Sequence, residues 1–367
     1  MGLVVNKSMK QYLAWASVII LVLAVGGYIT VVSIFPIVGS GFSPHNTWTQ
    51  PTKGENIRCM SVSQDGIILF NTRQALTALK AETGMPLWSV NDLADECPEL
   101  ALGDAFITLS EQSLSKIETK TGRTLWQQAL YNSSAKIRAV SENYVVVNYA
   151  SYRIDVYDTE SGLLLWTLPA ERGYVDVYIS GDTVYYVGDE IKAIDGKTGE
   201  IVWQQDLDIG GNTLLAENML FYEGGNLFDD NTVDIVAFDV IKRQEIWRIQ
   251  IDSGWVEELL INGDHLFLAD SYYLYALDKK DGELIWQAKS SSPTNLTVVG
   301  NNLVVLEGFT RIVRAFDIQS GALRGEIYVT LPQMLRIKKE ERDIGSWNNA
   351  LLLYNKDTIY AYELKEQ

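Results

Sequence analysis

The chain has 367 residues and a formal net charge of −17. That excess of carboxylates argues against binding nucleic acid or an anionic lipid surface through the body of the protein, since both would be repelled. The composition, 47% apolar and 11% aromatic with 28 glycines, suits many short strands and tight turns.

In chain order the first feature is apolar. From Gln11 to Thr52 there is no Lys, Arg, Asp or Glu, and the apolar run extends from Tyr12 to about Val38. This exceeds the ~20 residues that a helix needs to cross a bilayer. Lys7 and Lys10 precede it, and Lys53 is the next cation. The positive-inside asymmetry then predicts a cytoplasmic tail over 1–10, a transmembrane helix over 11–38 and a linker over 39–45. Residues 46–367 would lie outside the cell membrane, making a single-pass protein. A cleaved signal peptide is the rival reading, but its apolar core should run only ~7–15 residues. The first cysteine, Cys59, follows Asn56-Ile57-Arg58 and does not sit in a lipid-attachment box.

Past residue 45 the chain keeps a beat. Trp48, Trp88, Trp126, Trp166, Trp203, Trp247 and Trp286 are separated by 40, 38, 40, 37, 44 and 39 residues. A period near 40 predicts a β-propeller with one four-stranded blade per repeat. The unit is whole in Tyr275-Ala276-Leu277-Asp278-Lys279-Lys280-Asp281-Gly282-Glu283-Leu284-Ile285-Trp286. Its Asp stands eight residues before the Trp and its Gly four. The pattern recurs at Asp158/Gly162/Trp166 and Asp195/Gly199/Trp203. Glu118 and Lys80 replace the Asp ahead of Gly122/Trp126 and Gly84/Trp88. Asp239/Trp247 has Arg243 in the glycine position, and Asp317/Gly321 has Gly325 in the tryptophan position. The pattern reads as a hairpin. The Asp caps turn N–H groups, the Gly takes a positive φ, and the Trp covers turn backbone and seals one blade against the next.

These residues resemble the pyrroloquinoline-quinone-type propeller repeat, A-x-D-x-x-T-G-x-x-x-W, over roughly residues 46–364. After the seventh hairpin, Trp347–Tyr354 and Thr358–Glu363 read as strands of an eighth blade, and Tyr360-Ala361-Tyr362-Glu363 matches Tyr275-Ala276-Leu277-Asp278. The chain stops before a fourth strand. The segment around Trp48 supplies it in step with the beat, so the N-terminal strand is expected to close an eight-bladed, all-β ring. In repeat and blade count the chain is similar to the propeller lipoproteins of the outer-membrane β-barrel assembly machinery. That resemblance implies organisation of a membrane complex through loop contacts.

Chemistry is scarce. His45 falls in the linker and His265 on a strand, and neither has a readable triad or metal partner. Quinoprotein dehydrogenases of the resembled superfamily use adjacent cysteines, a calcium site and an aspartate base. Here Cys59 and Cys97 are 38 residues apart. No catalytic residue, cofactor or metal is therefore expected. A quinone-dependent oxidoreductase and a ligand-sensing domain stand as alternatives. Cys59 and Cys97 start neighbouring inner strands. An oxidising compartment would allow a bridge, and two buried thiols is the other reading. Asp229, Asn231 and Asp234 could offer oxygen ligands to calcium, but a solvated loop explains them better.

Aligning the blades singles out one face. The first turn of each blade carries Asp65, Asp104, Asn143, Asp182, Asn218, Asp264, Asn301 and Asn349. Five to seven residues earlier, where inner strands begin, stand Arg58, Glu99, Lys136, Arg138, Asp176, Glu257, Glu258, Arg342 and Asp343, with Tyr174 and Trp255 just before two of them. The long connections Asn91–Glu99, Glu223–Asp234 and Val329–Asp343 emerge on the same side. Charged and aromatic groups among variable loops point to a protein-binding surface at Arg58, Arg138, Tyr174, Asp176, Trp255 and Glu257. The expected molecule is a non-enzymatic, membrane-anchored scaffold with protein partners and no nucleic acid.

Overall fold

The computed structural model describes residues 22–25, 28–31 and 42–366, apart from 53, 64, 92–99, 111, 150–152, 170–174, 226–231, 254, 308–311, 329–343, 349 and 356. The chain divides into two compact units, Met1–Val38 and Gly39–Gln367.

In the first unit the sequence predicted a transmembrane helix, and the described residues differ. Val22–Val25 and Tyr28–Val31 pair as antiparallel strands, with Val25 opposite Tyr28. The local sequence explains this. Gly26-Gly27 is a two-residue hairpin signal, and the flanking valines, isoleucine and threonine are β-branched. Among the described residues no helix is long and apolar enough to cross a membrane.

The second unit is a propeller. Eight four-stranded antiparallel sheets are described. In seven of them the four strands are consecutive in the chain, as in Ile57–Val62, Ile67–Thr72, Leu76–Lys80 and Pro86–Val90. The eighth combines Ile344–Trp347, Ala350–Asn355 and Thr358–Glu366 with Phe42–Pro51 from the other end of the sequence. Phe42 pairs with Glu366 and Pro51 with Thr358, so the N-terminal strand closes the ring. It begins at Phe42, four residues ahead of the expected start of the propeller.

Burial follows from the blade order. Second strands are buried on both faces because each sheet packs on a neighbour to either side; Ile67–Thr72 is buried throughout. That explains their continuous apolar runs in place of alternation. Fourth strands such as Ile201–Asp206 alternate between exposed and half-buried at the perimeter. The apolar clusters lie between blades. One joins Ile68, Phe70 and Leu79 of the first blade to Leu352, Ile359 and Ala361 of the eighth, with Trp48 packed against it.

The repeat motif is an inter-blade lock. Each Trp sits opposite the same third-strand position, as in Val156↔Trp166, Ala276↔Trp286 and Ala361↔Trp48, and the register shifts directly beside it. Its indole reaches the next blade. Trp126 Nε1 donates to Thr159 O at 3.0 Å, Trp166 Nε1 to Gly196 O at 2.8 Å and Trp48 Nε1 to Ala81 O at 2.8 Å. The ring lies where a Cβ on the next hairpin's glycine would sit, 2.6 Å away for Trp126 beneath Gly162. Gly162 also has φ 71°, so both the conformation and the close approach require glycine. The aspartates cap as expected. Asp195 Oδ1 accepts from Lys197 N at 3.1 Å and Thr198 N at 2.8 Å.

The two exceptions have structural reasons. Gly325 stands opposite Ala315 in the Trp position of the seventh blade. A Trp there would cover the hairpin of the eighth blade, but the third and fourth strands of that blade come from opposite chain ends and no hairpin joins them. Arg243 takes the glycine position of the fifth blade at φ 57° and lays its guanidinium over Trp203, 5.3 Å from the ring centroid. A cation–π contact of about 0.5–1 kcal/mol offsets part of the roughly 1–2 kcal/mol that left-handed backbone costs a non-glycine residue.

Candidate partner-binding face

Antiparallel order fixes which features share a face. First strands begin, second strands end and third strands start on one side. The repeat hairpins and the entry of the chain at Phe42 lie on the other.

On the first side, Arg58 and Arg138 occupy equivalent places in the first and third blades. The pairing of Ile57–Val62 skips from Ile57 to Cys59, and that of Ala135–Val140 skips from Ile137 to Ala139. Each arginine is thus the extra residue of a β-bulge, a device that re-aims a side chain. Both are exposed, as is Lys136.

Asp176 opens the inner strand of the fourth blade and is half-buried. Its Oδ2 accepts from Thr213 Oγ1 at 2.6 Å, and that hydroxyl also lies 2.7 Å from Tyr178 Oη. The carboxylate ties two neighbouring inner strands together. Glu258 makes a similar tie, accepting from Leu296 N at 3.0 Å.

Trp255 and Glu257 form a unit. Trp255 is 57% exposed. Its Nε1 donates to Glu257 Oε1 at 2.7 Å, Ser271 Oγ donates to the same oxygen at 3.3 Å, and Glu257 N donates to Ala269 O at 2.7 Å. The indole is held by its polar edge while the residue stays largely exposed. Tyr174, Glu99, Arg342 and Asp343 lie outside the described residues, as do most of the three long connections.

Two aromatic features on this side escaped the sequence reading. Tyr272, 73% exposed, follows Ser271 in the loop between the second and third strands of the sixth blade. Tyr131, 60% exposed, enters the third blade and stacks on the Arg153 guanidinium, 4.4 Å from the ring centroid. Arg153 is fixed by Asp155, with Nε to Oδ1 at 2.7 Å and Nη2 to Oδ2 at 3.0 Å. Behind them Tyr157 Oη donates to Asp155 Oδ2 at 3.3 Å and lies 3.3 Å from Tyr149 Oη. Burial, then the hydrogen bond with Tyr149, pushes the Tyr157 phenol well above its ordinary range, so it stays a neutral donor. The local signals were Ser271-Tyr272-Tyr273 and Arg153-Ile154-Asp155, an Arg and an Asp on one strand face; a scan confined to inner-strand starts passes over both.

Of the other candidates, His265 is packed, its ring stacked on Phe267 at 5.6 Å. Asp234 pairs with Arg248 Nη1 at 2.9 Å, while Asp229 and Asn231 lie outside the described residues. Cys59 is buried and disulfide-bonded, and Cys97 lies outside the described residues. The sequence has no adjacent cysteine pair, and among the described residues no group of three or more His, Cys, Asp or Glu side chains is placed to hold a metal.

The profile of one family matches residues 40–187, 110–217 and 187–362, together nearly the whole propeller. The chain belongs to the family of outer membrane protein assembly factor BamB. Proteins of that name resemble it at low identity. The one from Shewanella oneidensis is 24% identical over 59% of this chain, which spans 59% of that protein's length. The one from Yersinia pestis is 20% identical over 79% of this chain and 83% of its own length. Among solved structures, BamB from Moraxella catarrhalis superposes with a TM-score of 0.63 at 16% identity, covering 88% of this chain and all of that one. The computationally designed Ika8 protein gives 0.64 at 16% identity, covering 85% and 98% of the two chains. At such identities the structural likeness speaks for the fold. The family overturns the expected localisation, a single-pass cell-membrane protein with a cytoplasmic N-terminus. That family is described as an outer membrane protein assembly factor, and Val22–Val25 and Tyr28–Val31 pair as strands where a spanning helix was expected.

Proposed function

We propose that this chain is a non-enzymatic scaffold in outer membrane protein assembly, holding protein partners on the face where the inner strands begin. The family and the names of its relatives support the assembly role. One observation carries the choice of face: among the described residues the large exposed aromatics, Trp255, Tyr272 and Tyr131, lie on that side. Rigid aromatics with a fixed polar edge bury much area at small entropic cost, which is what an interface anchor needs. Arg58 and Arg138, re-aimed by their bulges, add charge that steers and orients a partner.

The test is crosslinking of the native protein to identify its neighbours, followed by charge reversal. Arg138→Glu and Glu257→Lys should each weaken association about tenfold or more while shifting the melting temperature by only a few degrees. Glu257→Lys also releases the Trp255 indole and should have the larger effect. Full association by both variants would refute the choice of face.

A further inference from the structure

The hairpin side, opposite the face proposed above, carries an exception of its own. Six hairpins place glycine at the left-handed position over the preceding blade's Trp; the fifth places Arg243 there. The turn does not call for arginine. Arg243 N donates to Asp239 O at 2.7 Å, just as Gly199 N donates to Asp195 O at 2.9 Å. Strained backbone kept where glycine would serve points to a use for the side chain. That side chain sits over the Trp203 ring, 5.3 Å from its centroid. Ile241, two residues before Arg243, is 63% exposed, and Val202, next to Trp203 in the chain, is 60% exposed. The carboxylates of the hairpin are engaged elsewhere. Asp239 takes the N–H groups of Ile241 and Lys242 and pairs with Lys242 Nζ at 3.0 Å, and Glu245 pairs with Arg248 at 2.9 Å. Among the described residues Arg243 makes no ion pair.

We propose that Arg243, Ile241 and Val202 form a second docking site, which takes a short segment of a partner protein carrying a carboxylate beside apolar side chains. An arginine held over an indole by a cation–π contact keeps N–H groups for a two-pronged grip on a carboxylate. The exposed aliphatic groups on either side cover the apolar neighbours of that carboxylate. Charge selects the occupant. On a chain of net charge −17, an exposed guanidinium with no ion pair among the described residues is a local positive site, and a carboxylate is its complement. A short segment with one carboxylate meets little of the repulsion that this net charge imposes on an anionic bilayer or a second copy of the chain, each carrying many negative charges.

The probe is a fluorescein-labelled octapeptide with one Glu among Leu and Phe residues, compared by polarisation with its Gln counterpart against the full chain. The Glu peptide should bind at least about tenfold more tightly than the Gln peptide. Arg243→Gly, which restores the glycine of the repeat, should keep or raise the melting temperature and cost at least about tenfold in Glu-peptide affinity. Val202→Asp should weaken the same binding, and Arg138→Glu on the opposite face should leave it unchanged. Absence of Glu-peptide binding, or equal binding by Arg243→Gly, overturns the proposal. So does a dimer in sedimentation that Arg243→Gly dissolves, or Arg243-dependent binding to phosphatidylglycerol vesicles, since the occupant is then a second copy or a membrane.

Discussion

Trp126 and Gly162 compress the logic of the ring into one contact, with the indole carbons 2.6 Å from where a Cβ would stand. Gly162→Ala must move the indole or the hairpin and must also hold φ at 71°. It should cost about 1–3 kcal/mol, read as a lower denaturation midpoint in urea. Trp166→Phe keeps an aromatic face but loses the bond to Gly196 O, and should cost about 1–2 kcal/mol. Asp317 gives a pH handle. The hydrogen bond from Arg324 Nη2, then those from Ser320, lowers its carboxyl to about 2. A depressed folded value stabilises the protein above the unfolded value near 4, and this contribution is lost as pH falls from about 4 towards 2. Asp317→Asn should remove about 1–2 kcal/mol at neutral pH, after allowance for screening at the partly exposed Arg324, and flatten the stability profile in that acid window. An unchanged profile would show that the carboxylate contributes nothing there. The Asp-Gly-Trp spacing was legible because each residue acts within its own turn or on the next one. Which glycine each indole covers was not, since that contact crosses from blade to blade.

Inner strands carry the candidate site, and here the sequence gives position without orientation. The starts of these strands could be counted back from the turn residues, which placed Arg58, Arg138, Asp176 and Glu257 on one side. The bulges that turn Arg58 and Arg138 outward, and the Thr213 hydroxyl that commits Asp176 to the next strand, depend on pairing between segments distant in the chain. Cys59 belongs to the same layer. It is disulfide-bonded, and Cys97 is the other cysteine of the chain, so we propose the pair as a bridge between the first two blades. The denatured, unreduced protein should then show no free thiol, and Cys59→Ser with Cys97→Ser should destabilise the ring by about 2–4 kcal/mol, the scale for closing a loop of this length. Thiol labelling at both sites without reductant would exclude the pairing.

The whole molecule depends on one strand. Phe42–Pro51 pairs along Thr358–Glu366, and its Trp48 covers Gly84 and donates to Ala81 O, so it holds the eighth blade to the first. A chain beginning at Glu55 should melt at least about 10 °C below one beginning at Ser43, because it loses a ladder and an inter-blade lock together. Equal melting of the two would mean that the ring does not need its closure. The sequence by itself determined the repeat, the blade number and the origin of the closing strand. Each rests on a local pattern of hairpin residues repeated at a fixed period, and local patterns survive being read one segment at a time. For the apolar N-terminus, hydropathy over 11–38 suggests a spanning helix, which the described residues do not bear out, while Gly26-Gly27 between β-branched residues suits a hairpin; hydropathy measures burial and cannot choose between the two. Only the tertiary structure decided that Trp255, Tyr272 and Tyr131 are exposed on one face, that Gly325 needs no indole and that Arg243 lies over Trp203. These facts depend on which blade lies beside which, and ring closure sets that order between residues hundreds of positions apart.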